Sequence, residues 1–172
     1  MLIIQYPTFS VEKIAGVKSF KTAEKSFDHV AYSITLPADT AKKEKKKEKS
    51  EELLILQDLV SQRQDTIPHA KEHLFSKFGN AFAVVIQPEK KDSTDVPGIL
   101  FFDFNKQGQK RISAEKREYK SLAFDEPGTQ LVYLSTADTS KVEQKRFDVR
   151  YYSMGADGPC GDTHPLRGGV RD

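Results

Sequence analysis

A chain of 172 residues, 37% hydrophobic and 30% charged, is long enough for one domain with a proper core and short for two. Its net charge of +2 excludes the pervasive basic field of a dedicated nucleic-acid binder, and its single cysteine, Cys160, excludes an intramolecular disulfide framework. Residues 1–7 carry neither the basic lead nor the long apolar run of a secretory signal, and no stretch approaches the length of a membrane-spanning helix, so the expectation is a soluble, cytoplasmic protein.

In chain order, residues 2–6 predict a strand stopped by Pro7, which has no amide hydrogen for a ladder. Gly16 marks a bend before a short strand from Val17. Over 28–36, Val30, Tyr32, Ile34 and Leu36 alternate with small or polar residues, the period of a strand with one buried face. Residues 38–40 offer side-chain oxygens that cap a helix. Leu53, Leu56 and Val60 recur at helical spacing and predict a helix over 51–64. Pro68 suits the first turn of a second helix over 69–78, closed by Gly79-Asn80.

From Asn80 to Ser153 the chain is a succession of short apolar segments separated by turn residues. Residues 81–86 form a continuous apolar run, expected of a central strand covered on both faces. A strand over 99–104 and a turn over 105–108 follow, then a charged stretch over 109–120 compatible with an exposed strand or a short helix. Pro127-Gly128 fits the central pair of a type II turn. Residues 130–135 and 145–153 predict a closing hairpin. No fixed-period repeat stands out. The expected fold class is α+β: an antiparallel β-sheet or sandwich of five to eight strands, with a helical insertion between strands at about 41–78. One domain is expected over 1–153, followed by a Gly/Pro-rich tail over 154–172.

One motif carries a sharp chemical expectation. His69-Ala70-Lys71-Glu72-His73 matches H-x-x-E-H. On a helix, two histidines four apart stand one above the other and can share a zinc ion, leaving Glu72 as general base toward zinc-bound water. With Leu74, Phe75 and Gly79, this stretch resembles the zinc helix of the pitrilysin and insulysin family. The resemblance implies a zinc-dependent hydrolase with His69 and His73 as metal ligands, Glu72 as the catalytic residue and a downstream acid as third ligand, for which Glu143 is the nearest candidate. It covers little more than a dozen residues.

The lysine run Lys42, Lys43, Lys45, Lys46, Lys47 and Lys49 offers weak contact with nucleic-acid phosphates, without interleaved aromatic residues for base stacking. Cys160 and His164 bring a thiol and an imidazole close in sequence, within a Gly-rich tail ill suited to holding catalytic geometry. Asp103, Asp125 and Glu126 place carboxylates at strand ends. No phosphate-binding loop, dinucleotide fingerprint or nucleophile elbow is present. The leading expectation is therefore a non-enzymatic protein-interaction or assembly module without a cofactor, whose partner is another protein or a second copy. Zinc hydrolysis and weak nucleic-acid binding are the alternatives.

Overall fold

In a computed structural model of the protein, residues 1–5, 10–35, 52–88, 96–138, 145–154 and 164–165 are described. They form β1 (Leu2–Gln5), β2 (Ser10–Lys13), β3 (Val17–Thr22), β4 (His29–Thr35), β5 (Glu52–Asp58), β6 (Gln64–Pro68) and β7 (Ala70–Phe75). The series continues with β8 (Ala81–Ile86), β9 (Gly98–Asp103), β10 (Gly108–Ser113), β11 (Glu118–Phe124), β12 (Gln130–Thr136), β13 (Asp148–Ser153) and β14 (His164–Pro165). Among the described residues there is no helix, and the fold is all-β.

The strands pair in simple succession. A β1–β2 hairpin is followed by three four-stranded antiparallel sheets, β3 to β6, β7 to β10 and β11 to β14. The sheets stack as layers. Met1, Ile3 and Ile14 pack the hairpin onto Val30, Tyr32 and Ile55 of the first sheet. Ala31, Leu54, Leu56 and Ile67 then meet Phe75, Phe82, Val84 and Phe102 of the second. Ala81, Ala83, Val85, Ile99 and Phe101 meet Tyr119, Leu131, Tyr133 and Tyr152 of the third. Strand β8 is thus buried on both faces, as its continuous apolar run predicts.

The α+β class and its helical insertion are overturned by this layering. Residues 51–64 hold β5, a turn and the start of β6; residues 69–78 hold β7 and the turn after it. The physical reason is double coverage. In β5, Leu54, Ile55, Leu56 and Gln57 are buried one after another, because Ile55 faces the hairpin while Leu54 and Leu56 face the second sheet. An uninterrupted apolar run satisfies helical spacing and a two-faced strand equally well. Pro68 lies opposite Leu53 on the edge strand β6, where a missing amide is tolerated. The charged stretch over 109–120 divides between β10 and β11, and the single sandwich is replaced by a series of layers. The lysine run, the helix cap over 38–40, Glu143 and Cys160 lie outside the described residues, as does the tail apart from Met154, His164 and Pro165.

A repeat is present after all. In each four-stranded sheet the first strand carries a register irregularity: at Val17/Ser19, at Ala70/Glu72 and at Lys120/Ala123. The turns after these strands nest against one another. Gly79 has φ 70°, and a Cβ there would stand 2.8 Å from the Cβ of Ser26; Gly128 has φ 72°, and a Cβ there would stand 2.7 Å from that of Ser76 and 2.4 Å from Asn80 Oδ1. Each glycine lets its turn sit against the turn of the preceding sheet. The turn over 23–28, preceded only by the hairpin, contains no glycine. Gly128 donates its amide to Asp125 O at 3.1 Å, so Glu126 and Pro127 are the central pair of that turn, rather than Pro127 and Gly128.

Candidate functional site

Two matching turns shape a concavity among the described residues. Strands β5 and β9 both end on an aspartate that ties down the turn after it. Asp58 accepts the amides of Val60 and Ser61 at 2.8 and 3.1 Å and the Ser61 hydroxyl at 2.6 Å. Asp103 accepts the amides of Asn105 and Lys106, both at 3.1 Å. A short carboxylate side chain mimics a backbone turn in this way. Four residues after each aspartate, Gln62 and Gln107 take left-handed backbone angles, φ 63° and 49°.

Between these turns, at the seam of the first two sheets, lies a groove of about 590 Å³. That is within the range of about 300–1,000 Å³ typical of ligand sites. His29 and Phe104 stack at its wall with ring centroids 3.7 Å apart and planes within 9°. Among the described residues, Asp28, Asp58, Asp65 and Asp103 line it with one guanidinium, Arg63, which pairs with Asp65 at 3.1 Å. The groove therefore carries an excess of negative charge. Burial pulls the His29 imidazole below its ordinary pKa, against the opposing pull of Asp58 and Asp28, so the ring beside Phe104 is neutral at pH 7. Desolvation pushes Asp58 up, but the Ser61 hydroxyl and the Ser61 and Val60 amides outweigh it and hold the carboxyl below its ordinary value.

The residues singled out in the sequence lie elsewhere, and they are dispersed. His69 lies between β6 and β7 with φ 56°, and its carbonyl accepts the Gln87 amide at 2.9 Å. Glu72 and His73 are adjacent on an extended strand and so project to opposite faces. Glu72 accepts the amides of Ser121 and Leu122 on β11, each at 2.9 Å, while the His73 ring lies 5.9 Å from that of Phe82. A strand advances about 3.3 Å per residue, so the four-residue spacing that superposes imidazoles on a helix instead draws apart His69, at the turn before β7, and His73, within β7. Among the described residues no group of three or more His, Cys, Asp or Glu is placed to hold a metal ion. Burial, reinforced by Lys21, brings His73 down to a pKa of about 4, Glu72 notwithstanding.

Of the strand-end acids noted in the sequence, Asp103 lines the groove. Asp125 instead closes its own turn, accepting the amides of Thr129 and Gln130 at 2.7 and 2.8 Å. The groove itself was missed. Its signal is the shared spacing Asp58…Gln62 and Asp103…Gln107, two aspartate-led turns at the same place in successive sheets.

No protein-family model matches the sequence, and no curated protein matches it. Solved structures do. The β-propeller domain of the Trilobed protease from Pyrococcus furiosus, described as having an open velcro topology, superposes with a TM-score of 0.53 at 19% identity, over 80% of this chain and 39% of that one. The tricorn protease superposes with a TM-score of 0.51 at 15% identity, over 86% of this chain and 15% of that one. The fold is that of a β-propeller. Successive four-stranded antiparallel sheets are its blades. The chain spans less than half the length of either of these two structures, and at these identities the likeness extends to the fold alone.

Proposed function

We propose that the chain is a non-enzymatic, propeller-type protein-interaction module, and that the groove between its first two blades receives a basic side chain from a partner segment. The observation that carries this reading is the lining itself: four carboxylates against one guanidinium that is already paired, beside an aromatic stack. Such a lining attracts lysine or arginine and offers a flat ring pair for a guanidinium to lie against. It disfavours phosphate, which sets the groove apart from nucleic-acid contact. Asp58 and Asp103 are held by their turns before any ligand arrives, so little ordering cost remains.

The test is fluorescence anisotropy with a short labelled arginine-containing peptide. Binding is expected to weaken as salt rises and to fall severalfold in Asp28→Asn and Asp65→Asn variants. Peptide affinity equal in wild type and both variants, or no binding of the basic peptide at all, contradicts the proposal.

A further inference from the structure

Three turns that meet at the rim of the groove carry exposed apolar side chains. Val60, in the turn between β5 and β6, is 78% exposed; Phe27, in the turn before β4, is 70% exposed; Phe78, in the turn before β8, is 52% exposed. Val60 and Phe27 are the two most exposed large hydrophobic side chains among the described residues. The three are far apart in sequence, and backbone contacts bring their turns together. The Leu59 amide, one residue before Val60, donates to the carbonyl of Asp28, one residue after Phe27, at 2.7 Å. The Lys25 amide donates to the Lys77 carbonyl at 2.9 Å, and Gly79 abuts Ser26, so Phe27 and Phe78 flank one turn-to-turn contact. The Phe104 amide donates to the Asn80 carbonyl at 3.0 Å, which joins the Phe78 turn to the His29 and Phe104 stack. A single exposed apolar residue needs no explanation, but three gathered at the edge of one groove do.

The charge around this rim selects the occupant. Val60 itself lines the groove, together with Asp28, Asp58 and Asp65. The lysines of the two phenylalanine turns are matched by carboxylates: Lys25 lies 3.5 Å from Glu24, and Lys77 lies 2.6 Å from Glu126. The apolar rim therefore adjoins an excess of negative charge, and its own lysines add no net positive charge to oppose a basic segment. The same balance disfavours an anionic lipid surface.

We propose that this rim receives an apolar side chain of the same partner segment whose basic side chain enters the groove. The recognised unit is then a basic residue with an apolar residue close to it in an extended stretch. In an extended chain, residues two apart face the same way and stand about 7 Å from one another, so one side chain can enter the groove while the other lies on its rim. The inference rests on the reading of the groove as a basic-side-chain site, and adds what the partner carries beside the charge.

The experiment is fluorescence anisotropy on the full 172-residue chain with two labelled peptides of equal length and charge. Each carries one arginine, flanked in the plain peptide by glycine and serine and in the other by a leucine two residues to either side. Wild type is expected to bind the leucine peptide about tenfold more tightly than the plain one. A Phe27→Ser, Phe78→Ser double variant, changed only at exposed positions, is expected to bring the two affinities within about twofold of each other without weakening the plain peptide. Asp28→Asn is expected to weaken both peptides alike. Equal affinity of wild type for the two peptides overturns the proposal and leaves the charge reading of the groove standing; if neither peptide binds, both fall. This comparison needs no variant, so it decides the matter even if the double variant fails to fold. A leucine advantage that survives in the folded double variant also overturns the proposal. So does sedimentation of wild type with phosphatidylcholine–phosphatidylserine vesicles, or self-association, that the two serine substitutions abolish, since the rim would then belong to a lipid surface or to a second copy.

Discussion

Glu72 on β7 holds the backbone amide of Ser121 on β11 at 2.9 Å, and its other oxygen holds that of Leu122 at the same distance. The two amides are left over by the bulge between Lys120 and Ala123, where Ser121 takes a left-handed φ of 59°. One carboxylate therefore satisfies a local gap in the β11–β12 ladder and fastens two successive blades. Lys21 makes the corresponding link one step earlier, from β3 to the His73 carbonyl at 3.0 Å. Glu72→Ala is expected to cost about 1–2 kcal/mol in urea unfolding, and Glu72→Gln less, because an amide oxygen keeps one acceptor. An unchanged midpoint for Glu72→Ala would remove this carboxylate from the fold's support.

His73 makes stability fall on the acid side. Its folded pKa of about 4 lies below the ordinary 6.5, so the unfolded chain binds the proton first. The stability it protects is complete above pH 6.5 and is lost as pH falls from there toward 4. Full desolvation would correspond to about 3 kcal/mol, and partial exposure brings the expectation to about 1–2 kcal/mol. His73→Phe, packed in the same place against Phe82, should flatten this part of the pH–stability curve. Parallel curves for wild type and variant between pH 6.5 and 5 would contradict the assignment.

The glycines test the nesting of turns. Gly128→Ala places a methyl group in the left-handed region and against Asn80 Oδ1 and Ser76, whereas Gly16→Ala, at φ 70°, has nothing nearer than Thr35 O at 3.8 Å. The backbone cost of about 1 kcal/mol is common to both. Overlap should raise the Gly128→Ala penalty to about 2–3 kcal/mol. Equal losses in the two variants, measured by denaturant unfolding, would mean that the turns of the second and third blades do not interlock.

Much of the sheet was legible in the sequence. Alternation located β4 and β13, the apolar run over 81–86 identified a strand covered on both sides, and the closing hairpin is the β12–β13 pair. What periodicity could not resolve was β5, whose consecutive Leu54, Ile55 and Leu56 fit a helical stripe as readily as a strand between two layers. The repeat was hidden because its signals are sparse: a glycine at 79 and at 128 but none in the first turn, and aspartate-led turns at 58 and 103 with Ser153 ending the strand that follows. H-x-x-E-H was read with helical geometry. On a strand the same letters divide between a junction, an interblade clamp and a packed ring.

Hypothesised ligands and partners all rest on residues 52–75 being strands, and backbone NMR tests that most directly. Strand-type secondary shifts are expected from Glu52 to Asp58 and from Ala70 to Phe75, with cross-strand contacts between Ile55 and Tyr32 and between His73 and Val84. Helical shifts over 51–64 or 69–78, with those contacts missing, would contradict the layered propeller and everything built on it.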